Sequence, residues 1–372
     1  MKQTTAVAIS GGVDSLMTAY LLKEQGQHVI GIHFITGFEA ASTFTRDPGA
    51  DQKHNVLKIG EQLGIPVEIV DIRVEFREKI VGYFCRTYQN GQTPNPCMQC
   101  NPTIKFGTIL AHAQKIGAQK LATGHYARIK KDQNDNHHLF KGLDPKKDQS
   151  YFLARLNRQQ LAGACFPLGE MKKSEIKQMA AQKGLYPVTQ GESQDVCFIK
   201  DDAYGEFLAK QSGFDPQPGL IENMNGQVIG KHQGLHLFTI GQRRGINCPA
   251  PEPYYVVRLD ADHNRLIVGA KNDLLSTECR VTDINWIGGQ PAAPMEIQTR
   301  VRYRSKEVES TIIPQDNHTA TVQFKVPQPA VTPGQGAVFY RGDEILGGGW
   351  ISPKGLQPAG LRPGGLKIRK PK

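Results

Sequence analysis

The sequence predicts an α/β chain with a parallel sheet in its first half, followed by a small central domain and an antiparallel β-barrel. Two textures lead there. Short apolar runs at 6–9, 29–34, 67–70 and 120–123 alternate with helical patterns at 51–63, 74–88 and 104–116, and that alternation implies crossover connections between parallel strands. From Tyr254 onward, segments 254–259, 265–268, 296–303, 319–326 and 337–340 alternate apolar and polar residues, with Pro333-Gly334 and Arg341-Gly342-Asp343 as turns. Period two of this kind reads as a small antiparallel barrel. A further helix at 173–183 and a Pro- and Gly-rich stretch at 214–219 mark the change of domain. The expected divisions are 1–205 for the parallel-sheet domain, 206–275 for the central domain, and 276–372 for the barrel with its basic tail.

At 372 residues and 41.1 kDa the chain should make two or three domains, each with its own core. A net charge of +10 and a pI near 9.2 favour a polyanionic partner, most commonly nucleic acid. Residues 1–5 lead straight into a strand, and no apolar run reaches the ~18 residues of a membrane span, so a cytoplasmic protein without membrane contact is expected. Seven cysteines, Cys85, Cys97, Cys100, Cys165, Cys197, Cys248 and Cys279, are an odd number spread thinly. Free thiols, metal ligation or redox chemistry fit that pattern better than a disulfide scaffold. The tail 366–372 is basic and reads as a solubilising end.

Two motifs carry chemistry. Ser10-Gly11-Gly12-Val13-Asp14-Ser15 follows the apolar run 6–9 and leads into a helical pattern, so strand, glycine turn and helix start coincide. Small residues there let backbone N–H groups approach an anion, and the helix N-terminus adds donors for phosphate oxygens. The loop lacks the lysine of GxxxxGK[ST] and the spacing of GxGxxG, which argues against a kinase-type phosphate loop and against a dinucleotide fold. On a parallel sheet it would share the carboxyl ends of the strands with Phe34 and with Thr123-Gly124-His125. The second motif, Thr93-Pro94-Asn95-Pro96-Cys97-Met98-Gln99-Cys100-Asn101, sets two thiols three apart before a helix, where a helix dipole would ease their ionisation. No second CxxC and no HxxxH accompanies it at zinc-finger spacing. Cys197 lies in a short apolar run and, taken alone, reads as a core cysteine.

The Ser10–Ser15 loop resembles the SGGxDS signature of ATP pyrophosphatases, which adenylate a substrate and release pyrophosphate. With 93–101 and Ile104-Lys105-Phe106, Ala122-Thr123-Gly124-His125-Tyr126-Ala127-Arg128, Lys147-Asp148-Gln149-Ser150-Tyr151, Cys197, Phe238-Thr239-Ile240-Gly241-Gln242-Arg243-Arg244-Gly245 and Val331-Thr332-Pro333-Gly334-Gln335, nearly the whole chain resembles the tRNA-specific 2-thiouridylase family. The resemblance implies an N-type ATP pyrophosphatase domain whose Ala8, Ile9, Ser10, Gly11, Gly12, Val13, Asp14, Ser15, Phe34 and Gly124 hold ATP. It places Asn95, Pro96 and Cys97 at the target base, and His125, Lys147, Asp148, Gln149, Arg302, Tyr303 and Gln335 against the tRNA.

By that resemblance the reaction exchanges oxygen for sulfur at position 2 of the wobble uridine, in lysine, glutamate or glutamine tRNAs. The uridine oxygen attacks the α-phosphate of ATP, so that AMP becomes the leaving group. Mg2+ would be held mainly by phosphate oxygens and water, with one carboxylate such as Asp14. Sulfur would arrive from a relay protein as a persulfide on Cys197, with Cys100 as the partner thiol and a Cys100–Cys197 disulfide as the by-product. Many family members carry aspartate where this chain has Cys97. Three thiols, Cys97, Cys100 and Cys197, also allow an iron–sulfur cluster that activates sulfide. The stretch 37–50 departs from the family's acidic segment. Another adenylating synthetase, which would have no use for Cys100 and Cys197, and a non-catalytic zinc-containing RNA-binding protein remain the rival readings.

Overall fold

The computed structural model describes residues 3–38, 48–189, 196–199, 204–316, 318–355 and 357–358. Residues 193–195, most of the departing stretch 37–50 and the basic tail 366–372 lie outside the described residues.

The first half builds a five-stranded parallel sheet from β1 (Thr4–Ala8), β2 (His28–Ile35), β3 (Val67–Asp71), β4 (Lys120–Ala122) and β7 (Ala164–Cys165), in the order β3-β2-β1-β4-β7. The connecting helices are α1 (Val13–Glu24), α2 (Pro48–Leu63), α3 (Arg73–Phe76) continuing to α4 (Gly82–Gln89), α5 (Pro96–Cys100) continuing to α6 (Leu110–Lys115), α7 (Arg158–Gly163), α8 (Lys173–Gln182) and α9 (Tyr204–Ala209). Ala6, Val7, Ile32, Leu121 and Ala122 are fully buried, as strands covered on both faces must be. Both long helical runs contain π-helical stretches, Arg77–Val81 and Asn101–Ile109, and the second begins directly after Cys100, where such widened turns frequently accompany a functional site.

The central sheet is four-stranded: β8 (Gly219–Asn223), β9 (Val228–His232), β10 (Tyr255–Asp260) and β11 (Arg265–Gly269), ordered β10-β11-β8-β9 with β11 parallel to β8. The period-two runs at 254–259 and 265–268, read in the sequence as barrel strands, therefore belong here. Alternation reports a half-buried strand, not the sheet that adopts it. The barrel proper is β12 (Leu275–Trp286), β13 (Met295–Arg300), β14 (Val308–Asp316), β15 (Thr319–Pro329), β16 (Gly336–Arg341) and β17 (Glu344–Ile351). It runs β12-β15-β14-β13-β16-β17 and closes because β17 also pairs with β12. Val281, Ile297, Ile312, Val322, Phe339 and Ile351 fill it. The short β18 (Gln357–Pro358) extends its edge at β12.

One hairpin crosses the domain division. The strands β5 (Ala127–Lys131) and β6 (His137–Lys141) leave the parallel sheet and add to the barrel, Phe140 opposite Glu344 and Leu139 opposite Ile345. A single apolar cluster consequently joins Met98, Leu139 and Tyr151 of the first half to Val338, Tyr340 and Ile345 of the barrel. A charge network ties the same seam. Arg300 Nη2 donates to Glu307 at 2.6 Å and its Nη1 lies 3.6 Å from Asp148, while Lys141 also pairs with Glu307. The ring of Tyr340 lies between the two cations, 4.8 Å from Lys141 and 5.4 Å from Arg300.

Arg300 is the shared partner of the buried Asp148 and the half-buried Glu307. Replacing it by methionine leaves Glu307 to Lys141 alone and Asp148 to its hydrogen bonds with Gly142 and Ser150, so Arg300→Met should cost about 1.5–3 kcal/mol in chemical denaturation, the loss of a hydrogen bond to a charged group; a loss below about 0.5 kcal/mol would show that Arg300 does not hold the seam.

Candidate active site

Strand order reverses between β1 and β4, so the loops that leave their carboxyl ends diverge and open a crevice. The Ser10–Ser15 loop lies on one side of it. Gly11 has φ +94°, and a Cβ there would meet the Thr189 side chain at 2.9 Å. The Gly11 carbonyl accepts from the amides of Val188 (2.9 Å) and Thr189 (3.2 Å), which fixes the turn from outside. Ser15 Oγ donates to the Gly12 carbonyl (2.9 Å) and accepts from the Ser10 amide (3.2 Å) and Ser10 hydroxyl (3.3 Å), holding the loop from inside. Gly12 is the N-cap of α1 and supplies no side-chain cap, so the first-turn amides remain available to an anion. Ala8 ends β1, Ile9 is buried, and Val13 and Phe34 are half-buried at the same edge. The Ile9 carbonyl accepts from His33 Nδ1 at 2.8 Å.

On the other side, Gly124 packs directly on the loop, since a Cβ there would lie 2.7 Å from Asp14 Cβ. Asp14 is held by two residues that the sequence analysis did not single out. Lys173 Nζ lies 2.6 Å from both carboxylate oxygens, and the Tyr126 hydroxyl donates to Oδ1 at 2.8 Å. Three of the roughly four lone-pair sites of the carboxylate are thus engaged, which leaves room for one metal bond on Oδ2. That fits a Mg2+ held mostly by phosphate oxygens and water.

The thiols lie beyond this crevice. Asn95 caps α5, its Oδ1 accepting from the Met98 amide (3.1 Å) and its amide donating to the Tyr83 hydroxyl (3.2 Å). Pro94, Asn95 and Pro96 are buried, whereas Cys97 and Cys100 keep some accessible surface. Even so, loss of hydration dominates both thiols. Burial raises the Cys97 thiol, and it pushes Cys100 up to about 12, with Lys105 opposing in each case and the neighbouring Cys197 and Cys97 adding to the rise at Cys100. The sequence-based expectation of easily ionised thiols is therefore corrected. Cys97 lies in the first turn of the helix that runs on from α5 and Cys100 one turn further in, and desolvation outweighs the dipole at both.

Cys197 is exposed, not a core residue. The buried position belongs to the next residue, Phe198, whose ring packs on Phe84 at 5.2 Å, Phe207 at 5.4 Å and Phe76 at 5.8 Å. That aromatic anchor holds the segment against the first-half core and leaves the thiol facing out near Cys100. None of the seven cysteines is in a disulfide. Among the described residues no group of three or more His, Cys, Asp or Glu side chains is arranged to hold a metal ion, so Cys97, Cys100 and Cys197 as they stand do not fit an iron–sulfur cluster.

Lys105 joins the two halves of the site. Its ammonium lies 3.4 Å from His125 Nε2, and His125 Nδ1 lies 2.6 Å from Thr123 Oγ1. An ammonium can only donate, so Nε2 accepts and Nδ1–H faces Thr123. Burial and then the Lys105 charge push His125 well below the ordinary histidine range, which keeps the ring neutral.

The residues expected against RNA divide in two. Asp148 is buried, its Oδ1 accepting from the Gly142 and Ser150 amides and its Oδ2 from the Ser150 hydroxyl, all at 3.1 Å. Gln149 Oε1 accepts from the Tyr126 amide at 3.0 Å. Arg302 Nη2 donates to the Ile240 carbonyl at 2.8 Å and to the Thr332 hydroxyl, clamping the central domain to the barrel. Gln335 Nε2 donates to the carbonyls of Thr93 (3.2 Å) and Pro94 (2.9 Å). These four are engaged within the protein. Lys147 and Tyr303 are half-buried, and the Tyr303 ring lies 4.3 Å from that of Phe152.

Residues 3–201 match the tRNA methyl transferase HUP domain, 205–270 the tRNA methyl transferase PRC-barrel domain, and 276–351 the aminomethyltransferase beta-barrel domain. A protein of Desulfosudis oleivorans named tRNA-specific 2-thiouridylase MnmA is 48% identical over 346 residues, which cover 93% of this chain and 94% of that one. The chain belongs to the tRNA-specific 2-thiouridylase family. Proteins of the same name from Geobacter metallireducens and Syntrophotalea carbinolica are 42% and 44% identical, covering 94% and 93% of this chain and 97% of each of theirs. The family's HUP domain is the parallel-sheet unit that carries the crevice. Among the described residues no helix is long and apolar enough to cross a membrane.

Two outcomes are expected of this thiouridylase-family site. Iodoacetamide at pH 8 should modify the exposed Cys197 well before Cys100, whose reaction should climb only as the pH approaches about 12; equal rates at pH 8, read by peptide mass spectrometry, would show that Cys100 is not desolvated. A thiol raised above its unfolded value of about 8.5 stabilises the fold below that pH, and the contribution is lost as pH rises through the folded value. Denaturation midpoints should accordingly fall above pH 8.5 in wild type, and less so in Cys100→Ala.

Proposed function

We propose that this chain performs ATP-dependent 2-thiolation of the wobble uridine, position 34, of tRNA. The observation that carries the reading is that an exposed thiol, Cys197, lies close enough to the desolvated Cys100 of a distant segment to act on its ionisation, in the domain that carries the phosphate-type loop. Family membership supports the substrate and the use of ATP.

The chemistry follows from the parts. The O2 oxygen of uridine is a poor leaving group, so it first attacks the α-phosphate of ATP. Pyrophosphate departs, and the base carries AMP on O2. The first-turn amides of α1 meet the departing phosphates, while the Ser10 and Ser15 hydroxyls hold the loop in shape. A bound Mg2+ would neutralise phosphate charge, and Asp14 is the carboxylate that would hold it. The outer sulfur of a Cys197 persulfide then attacks C2 and AMP leaves with O2. The Cys100 thiol attacks the inner sulfur, forming a Cys100–Cys197 disulfide and releasing thiouridine, and an external dithiol reductant supplies the two electrons that reset the pair. Persulfide delivery to an exposed Cys197 needs no opening of the fold, which agrees with a sulfur-relay protein as donor. Cys100 must lose its proton in the complex, where Lys105 is the nearby cation that stabilises the thiolate.

In this reading the chain divides at 1–205, 206–275 and 276–372, the anticodon loop of lysine, glutamate or glutamine tRNAs presents its base to Asn95, Pro96 and Cys97, and Lys147 and Tyr303 meet the RNA. An unstacked loop base enters without breaking a duplex. His125, Asp148, Gln149, Arg302 and Gln335 shape that surface by holding its loops.

Cys100→Ser and Cys197→Ser should each abolish thiouridine formation while leaving tRNA-dependent pyrophosphate release within about threefold of wild type, because neither thiol touches the adenylation step. Thiouridine is read on mercury-containing gels and pyrophosphate by a coupled assay. Retained thiolation in either variant would sink the relay; joint loss of both readouts would place the cysteines in adenylation instead.

A further inference from the structure

We propose that Lys173 supplies from α8 the cation that the phosphate loop lacks, its ammonium binding the pyrophosphate that leaves ATP; this rests on the adenylation reading above. The loop and the rest of α1 as far as Leu22 contain no lysine or arginine. Backbone amides and hydroxyls orient a pyrophosphate but carry no full positive charge. Worse, the loop brings its own anion, because Asp14 sits in the first turn of α1. A lone carboxylate there would repel the phosphates that the amides attract.

Lys173 resolves the conflict through space. It lies 159 residues along the chain from Asp14, yet its Nζ is 2.6 Å from both carboxylate oxygens. The pair is close to neutral, so the site no longer opposes an anion. The side chain is only 9% exposed, which makes the ammonium costly to place unless it is used. Two of its three N–H groups face Asp14, and the third has no partner among the described residues. Tyr126 holds the arrangement, donating to Asp14 Oδ1 and presenting its ring 5.9 Å from Nζ. A desolvated, fixed ammonium with a spare donor beside a phosphate loop is what a leaving pyrophosphate requires. A pair serving only to hold the fold would do as well if replaced by apolar side chains.

The test measures the affinity of the full chain for inorganic pyrophosphate and, separately, for AMP by calorimetry. Lys173→Met should weaken pyrophosphate about 10- to 100-fold, the loss of one hydrogen bond to a charged group, and leave AMP within about twofold. Equal weakening of both ligands, or of neither, would overturn the assignment, as would a wild-type chain blind to pyrophosphate. Should Lys173→Met unfold because Asp14 is stranded, Asp14→Asn combined with Lys173→Met removes that charge. Its pyrophosphate affinity should remain weak, although loss of Asp14 alone would strengthen it; recovery to the wild-type value would overturn the proposal. Whether wild type releases pyrophosphate when tRNA is added tests the adenylation reading independently of the lysine.

Discussion

Two carbonyls, those of Thr93 and Pro94, decide whether this site exists. The stretch 93–96 contains two prolines, which donate no hydrogen bonds and cannot fold the loop back on itself. Its polar groups must therefore be met from elsewhere, and they are. The Thr93 amide donates to the Pro333 carbonyl at 2.9 Å, Gln335 donates to both carbonyls, and the Thr93 hydroxyl reaches Thr239 of the central domain at 3.3 Å. Gly334, at φ +86°, comes so close that a Cβ would lie 2.8 Å from the Thr93 carbonyl oxygen. The start of the cysteine helix is thus set by the barrel and the central domain, and the position of Cys100 relative to the phosphate loop depends on all three domains being assembled.

The same assembly sets the electrostatics. The site carries two lysines on helices, Lys105 and Lys173, while Cys97, Cys100 and His125 are held uncharged by burial. Charges removed from water act more strongly on one another. A neutral thiol is a poor nucleophile, so in the proposed relay Cys100 would react only once binding changes its surroundings.

Much of the first domain was legible in the sequence. The phosphate loop, the strands that carry it and the barrel texture each have a local signature, a glycine turn after an apolar run or a period of two. What escaped is what distance along the chain conceals. Lys173 begins a helix that reads as an ordinary amphipathic one, and nothing near it points to Asp14. Lys105 follows Cys100 by five residues, a spacing that a 3.6-residue helical wheel turns away, whereas the i→i+5 hydrogen bonding of Asn101–Ile109 brings such residues closer to one face. The hairpin β5–β6 was hidden because His137 to Lys141 mixes polar and apolar residues without a clean alternation. Resemblance to the family located Asp148, Arg302 and Gln335, but only the hydrogen bonds showed that they are turned inward.

The hairpin has a consequence for how the chain is made. Strand β6 belongs to the first half, and its partner β17 is some 200 residues later. A ribosome releasing the chain from its N-terminus exposes β6 as an open edge, together with the apolar surface that Val338, Tyr340 and Ile345 will cover. The nascent first domain therefore waits, adhesive and incomplete, until the last strand of the barrel emerges. Cutting the gene at the obvious domain junction would make that waiting state permanent.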